Sequence, residues 1–208
     1  MLVNLTTGET APVRCGANFC RACGPMKAWK LGLAVQYAEP ERFVRLSLVG
    51  DDHETRRNRI KRLSWRVRKD GYAWKVAYAV EANPRETGHH AHLYQHGDFV
   101  PQARLQELCA REGMGIPYIE AWRGRVGSAA TYAMKAATYA MKGAADQDGL
   151  DEHLDLNGGR ILHVSRGFWR HGREGGTIAT QREAIAAALQ AVHGPPGDDQ
   201  WVFMRMTA

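Results

Sequence analysis

The sequence predicts an α+β domain: a ferredoxin-like split β-α-β antiparallel sheet with helices on one face, the other face open, and a small N-terminal metal-binding appendage. Three observations predict it. Several short stretches alternate apolar and polar residues with the period of a strand. Two longer stretches repeat apolar residues three and four apart, the period of a helix. These stretches follow one another as β-α-β-β-α-β, with further elements added.

Each element has its own reason. Phe43 to Val49 alternates as a strand, with Val44, Leu46 and Leu48 on one face and Arg45 and Ser47 on the other. The segment from Arg56 to Lys69 carries Ile60, Leu63 and Val67 on one helical stripe. Trp74 to Glu81 is a second strand, placing Trp74, Val76, Tyr78 and Val80 opposite Lys75, Ala77, Ala79 and Glu81. Asn83-Pro84 to Gly88 makes a loop, and His89 to Tyr94 returns as a third strand, antiparallel to the second. Pro101 to Glu112 is helical on Leu105, Leu108 and Cys109, started by Pro101 and ended by Gly113. Ile116 to Trp122 is a fourth strand and Ser128 to Lys142 an alanine-rich helix. Ile161 to Val164 is a short fifth strand. A last helix starts at Thr180, in a capping box with Glu183, and ends near Gly194. The chain thus divides into a cysteine-rich segment (1–30), the α+β domain (40–170) and a C-terminal helix and tail (171–208).

Composition narrows the function. A chain of 208 residues has the length of one domain. It has no run of 18 apolar residues, which excludes a membrane-spanning helix and argues against a membrane partner. The N-terminus lacks the apolar core of a signal peptide, so the expected location is the cytoplasm. Net charge is +6 and the pI about 9.3, which favours a polyanionic partner. The charge clusters in the first helix: Arg56, Arg57, Arg59, Lys61, Arg62, Arg66, Arg68 and Lys69 are met by no acidic residue. Trp65 falls among them. This reads as a phosphate-tracking face with a stacking platform, or, more plainly, as a solvated amphipathic helix.

The most informative residues are His90-Ala91-His92. Histidines at i and i+2 on a strand project from one face. If Val76, Tyr78 and Val80 face the helices, Glu81 faces the open side. If Ala91 and Leu93 face the helices, so do His90 and His92 face the open side. Two strands read separately bring a carboxylate and two imidazoles to one surface, a donor set that holds a divalent ion and leaves positions for water and a phosphate oxygen. Downstream, Thr131-Tyr132-Ala133-Met134-Lys135 recurs as Thr138-Tyr139-Ala140-Met141-Lys142. A seven-residue offset is nearly two helical turns, so Tyr132 and Tyr139 share a face beside Lys135 and Lys142. A neighbouring ammonium favours the phenolate of a group whose pKa is near 10. The plainer alternative is an amphipathic helix with aromatic core residues.

Cys15, Cys20 and Cys23 have a C-x4-C-x2-C spacing. Three close thiols in a cytosolic chain point to structural zinc. An iron–sulfur cluster and unligated thiols are the alternatives. The fourth ligand is open between histidines such as His53 and His163, while Cys109 suits a buried apolar position. The remaining histidines read as structural: His89 on the packed face, His96 in a turn, and His153, His171 and His193 in loops or at a helix end. Ser165 to Trp169 is either a DNA contact or a turn closing the domain.

In this order the motifs resemble those of the rolling-circle replication initiators of small phages and plasmids, members of the HUH endonuclease superfamily. Phe43-Val44-Arg45-Leu46-Ser47-Leu48 resembles the first-strand motif, His90-Ala91-His92 the metal motif, and Tyr139-Ala140-Met141-Lys142, echoed by Tyr132 to Lys135, the Tyr-x-x-Lys motif. Glu81 stands nine residues before His90, where many members place a third metal ligand. The resemblance covers roughly residues 43–170. It implies an HUH fold and a nick in single-stranded DNA at an origin hairpin, with a tyrosine joined to the 5′ phosphate and a 3′ hydroxyl freed for a polymerase. It also implies Mg²⁺ or Mn²⁺ on Glu81, His90 and His92. The seven-residue separation of the tyrosines departs from the commoner spacing of about one turn. No Gly-x-x-x-x-Gly-Lys-Ser/Thr occurs, so unwinding falls to a helicase of the bacterial host. Two alternatives stand beside this: a single-tyrosine transposase or plasmid relaxase of the same superfamily, and a non-catalytic ferredoxin-like nucleic-acid-binding module.

Overall fold

The alternating stretches pair edge to edge. The computed structural model describes residues 2–4, 10–11, 23–49, 52–82, 88–122, 147–169, 180–193 and 201–203. Within them the elements are β1 (Leu2–Asn4), β2 (Thr10–Ala11), α1 (Cys23–Tyr37), β3 (Arg42–Leu48), α2 (His53–Lys69), β4 (Trp74–Ala82), β5 (His89–Gly97), α3 (Gln102–Arg111), β6 (Tyr118–Ala121), α4 (Gln147–Leu156), β7 (His163–Val164), α5 (Gln181–His193) and β8 (Trp201–Phe203). The main sheet is antiparallel throughout, in the order β6-β3-β5-β4-β7. Strand β5 is inserted between β3 and β4, the two strands joined through α2. That is compatible with the ferredoxin-like arrangement, extended by β7 at one edge. A second small sheet has the order β2-β1-β8. Among the described residues no helix is long and apolar enough to cross a membrane.

Local chemistry fixes the helix ends. Asp52 caps α2, accepting from the Thr55 backbone N–H at 2.8 Å and from its hydroxyl at 2.7 Å. Those bonds hold the Asp52 carboxyl below its usual range. Gly113, at φ 64°, takes the left-handed conformation that ends α3. Thr180 and Glu183 form the expected capping box of α5.

One sheet face is as expected. Val44, Leu46, Leu48, Val76, Val80 and Leu93 pack under Ile60, Leu63 and Val67 of α2 and Leu105 and Leu108 of α3. Each such burial stabilises by about 1.5–3 kcal/mol. Arginines of α2 tie it to the end of α3. Arg62 (2.5 Å) and Arg66 both bond Glu112, whose side chain is 3% exposed, and Arg59 donates to the Val49 and Gly113 carbonyls. Burial alone pushes the Glu112 carboxyl up; the Arg62 and Arg66 hydrogen bonds outweigh it and hold the group below its usual range.

The other face corrects the expectation of an open surface. Phe43, Ala77 and Tyr94 are buried beneath Ala28, Leu31, Ala34 and Val35 of α1, Leu154 of α4 and Ala184 and Ala188 of α5. Phe168 and Trp169 complete this second core. Helix α1 packs along α5 through small alanines on both. Helices α1 and α4 are absent from the sequence reading. So is the placement of His96 in β5, where it is 2% exposed and its Nδ1 lies 2.8 Å from the Glu41 carboxylate. His153 is likewise a buried residue of α4, not a loop residue.

Buried histidines make the fold acid-sensitive. His163 stacks on Tyr78 (4.8 Å between ring centroids) and donates from Nε2 to the Asn157 carbonyl at 3.0 Å. Burial pushes its pKa down to about 4, and burial also lowers that of His153. Both folded values lie below the unfolded one, so between about pH 6.5 and 4 the unfolded chain binds more protons and stability falls as pH falls. We expect the urea midpoint to drop across that window, with a shallower drop in His163→Gln. Identical pH profiles for the variant and the parent would count against this origin.

Candidate active site

Register, not proximity in sequence, assembles the candidate site. Glu81 of β4 stands directly opposite His90 of β5, and His90 opposite Ser47 of β3. The next row along the same face is Ala79, His92 and Arg45. The row after that, Ala77, Tyr94 and Phe43, is the one buried beneath α1 and α5. Among the described residues the helical cover therefore ends at His92, which is 6% exposed, while Glu81, His90 and Ser47 form a half-buried rim.

Packing orients these side chains. The Phe43 ring stacks on His92 at 5.5 Å and 27°. On its other side His92 Nε2 lies 3.3 Å from a Glu81 carboxylate oxygen. The His90 and His92 rings are 6.5 Å apart and nearly perpendicular. The donor chemistry, one carboxylate and two imidazoles on adjoining register positions, fits a divalent ion. Here Glu81 and His92 meet each other, and among the described residues no group of three or more His, Cys, Asp or Glu is arranged around a common centre.

Two neighbours were not found from the sequence. Strand β7 pairs with β4 only at Ala77 and Tyr78. At Val80 the side chain of Asn157 takes over as a substitute strand: its Oδ1 accepts from the Val80 N–H and its Nδ2 donates to the Val80 carbonyl, both at 2.8 Å. Asn157 is fully buried and fixes the backbone next to Glu81. His153, one turn earlier in α4, donates from Nε2 to the Ile161 carbonyl at 3.0 Å and is close enough to Glu81 to feel its charge. The Leu150–Leu154 spacing was the only sequence signal for α4. We expect Asn157→Ala to cost about 3 kcal/mol, because it strands two buried backbone groups. Urea unfolding measures this; a loss under about 0.5 kcal/mol would remove the assigned role.

The basic helix does not join this site. Helix α2 packs on the opposite sheet face from Glu81, His90 and His92. Arg56 is buried, Arg57 is half-buried near Tyr78 and His163, and Arg59, Arg62 and Arg66 hold the end of α3. Lys61, Arg68 and Lys69 remain exposed, with Trp65, 52% exposed, beneath the Lys69 ammonium at 5.0 Å. Tyr132, Lys135, Tyr139, Lys142, Cys15 and Cys20 lie outside the described residues. Cys23 begins α1 and is buried. His163, a candidate fourth zinc ligand, is engaged by Asn157, and His53 stacks beside it at 6.3 Å. Cys109 is a core residue whose thiol burial pushes up to about 12, as its helical position suggested. Ser165 bonds Val76 through both backbone and side chain, and Phe168 and Trp169 are core, so that segment closes the domain. No family model, curated protein or solved structure matches this chain.

Proposed function

We propose that this chain is a metal-dependent tyrosine endonuclease and strand transferase of the HUH type. It nicks and rejoins single-stranded DNA at a replication origin and starts rolling-circle replication with a host helicase and polymerase. The observation that carries the reading is the direct register of Glu81 with His90, with His92 at 3.3 Å from Glu81, on the rim where the helical cover ends. A divalent ion held by Glu81, His90 and His92 supplies Lewis-acid polarisation of the scissile phosphate. Phe43 fixes the His92 ring, and Asn157 fixes the strand that carries Glu81. Tyr139 is the nucleophile. Its phenol loses a proton, favoured by the Lys142 ammonium, and its oxygen bonds to phosphorus as the bond to the 3′ oxygen breaks. That oxygen leaves as a 3′ hydroxyl. Tyr132, with Lys135, serves the second transfer. Cys15, Cys20 and Cys23 hold a structural zinc in this reading.

A sheet-face binding module needs aromatic side chains exposed for base stacking. Here Phe43 and Tyr94 are buried beneath helices, which favours the enzyme. The test is a denaturing gel of the full chain incubated with labelled single-stranded oligonucleotides: a protein-linked band that needs Mn²⁺ is expected, and its absence across origin-like hairpin substrates overturns the proposal.

A further inference from the structure

A cleft of about 660 Å³ opens at the edge of β4, on the side of Val76 away from Glu81. Arg68 from the end of α2, Lys75 of β4 and Arg166 after β7 line it, against one carboxylate, Asp98. Asp98 already accepts the Ala73 N–H at 2.6 Å. Among the described residues none of the three cations has an ion-pair partner. Three like charges converge where no described carboxylate neutralises them, which favours an anionic ligand. Trp74 lines the same cleft. It is 3% exposed, and its buried Nε1–H has no hydrogen-bond partner among the described residues. A buried donor without a partner is rare and costly, so an acceptor from outside the chain fits it. Ser165 places its hydroxyl on the same wall, already accepting from the Val76 N–H at 2.7 Å.

The surroundings specify the kind of anion. Trp65 stands one helical turn before Arg68 on α2, 52% exposed, with Lys69 over its ring. A flat aromatic beside a cationic cleft suits a base next to its phosphate. Lys75 and Glu81 are six residues apart on one strand, which separates the cleft from the candidate active site by about 20 Å.

We propose that this cleft binds a backbone phosphate of single-stranded DNA, with the adjacent base stacked on Trp65. The choice of DNA rests on the nicking reading; the phosphate chemistry does not. The cleft is then an anchoring subsite that holds the strand at a distance from the cut.

Fluorescence anisotropy of labelled oligothymidylate on the full chain, in EDTA so that nothing is cut, tests it. The double variant Lys75→Gln/Arg166→Gln should bind about tenfold more weakly, with a log K against log salt slope shallower by roughly 1.4 for two lost single-strand phosphate contacts. Arg111→Gln, which removes an exposed charge on α3, should change affinity less than about twofold. Unchanged affinity and slope in the double variant overturn the cleft, whether or not the parent cuts DNA. So does an equal loss in Arg111→Gln, which would mean diffuse charge alone. Tighter binding of oligouridylate than oligothymidylate overturns the assignment to DNA. A persistent Lys75/Arg166 effect in a chain that never forms an adduct keeps the cleft and sinks the nicking reading.

Discussion

Replacing both His90 and His92 by alanine is expected to abolish Mn²⁺-dependent cleavage of single-stranded DNA, a fall of at least about 10³-fold, while DNA affinity stays within a few-fold. Lewis-acid stabilisation of a phosphoryl transition state supplies several kcal/mol, and about 4 kcal/mol corresponds to that factor. Affinity comes mostly from cations on phosphates, and these lie elsewhere on the molecule. Because His92 is packed on Phe43, its alanine variant loses some stability as well as chemistry. His90→Gln keeps much of the shape at the half-buried rim and gives the cleaner measurement; its melting transition should match the parent while its cleavage is lost. Glu81→Ala should raise the Mn²⁺ concentration needed for half-maximal cleavage, with activity recovered at high metal. A merely structural role would lower activity at every metal concentration alike. Unimpaired metal-dependent cleavage in the double histidine variant would refute the assignment.

Strand parity made the candidate site legible. A side chain's face follows from counting by two, so Glu81, His90 and His92 could be placed together from two strands read separately, and the register agrees. The helices α2 and α3 were legible for the same kind of reason, through Ile60, Leu63, Val67, Leu105 and Leu108. Counting does not say what covers a face. Phe43, Ala77, Ala79 and Tyr94 were apolar on a surface expected to be open, and that mismatch was the available sign of a second core. The cover itself was hard to read. Helix α1 contributes mostly alanines to the contact, and it begins at Cys23, so the cysteine spacing competed with its helical pattern. Helix α4 contains Gly149 and a run of acidic residues that weaken its helical signal. Nor does parity tell which face a basic helix serves. Arg62 and Arg66 look like phosphate contacts in sequence, but Glu112, forty-six residues or more away, claims both.

Tyr139→Phe is expected to eliminate the first covalent adduct altogether, and Tyr132→Phe to leave that adduct while impairing strand transfer. The two tyrosines sit in identical five-residue units, so local chemistry does not separate them. Both phenols have a lysine three residues on, in Lys135 and Lys142, and each ammonium lowers the cost of ionising a group with a pKa near 10. Position separates them. If the repeat is helical, seven residues place the phenols on one side but about 10 Å apart along the axis. A single site on the sheet rim can align only one of them in line with a given phosphate, and misplacement by an ångström costs about 10²-fold. Tyr139 is followed after its lysine by Gly143, as in the motif it resembles, and it is the one assigned to the first cut. Phenylalanine keeps the ring and removes only the nucleophile, so the variants should fold as the parent does. Digestion of the trapped adduct and mass mapping of the DNA-bearing peptide decides the order. DNA on the peptide containing Tyr132 reverses the two roles, and an adduct on neither tyrosine removes the mechanism.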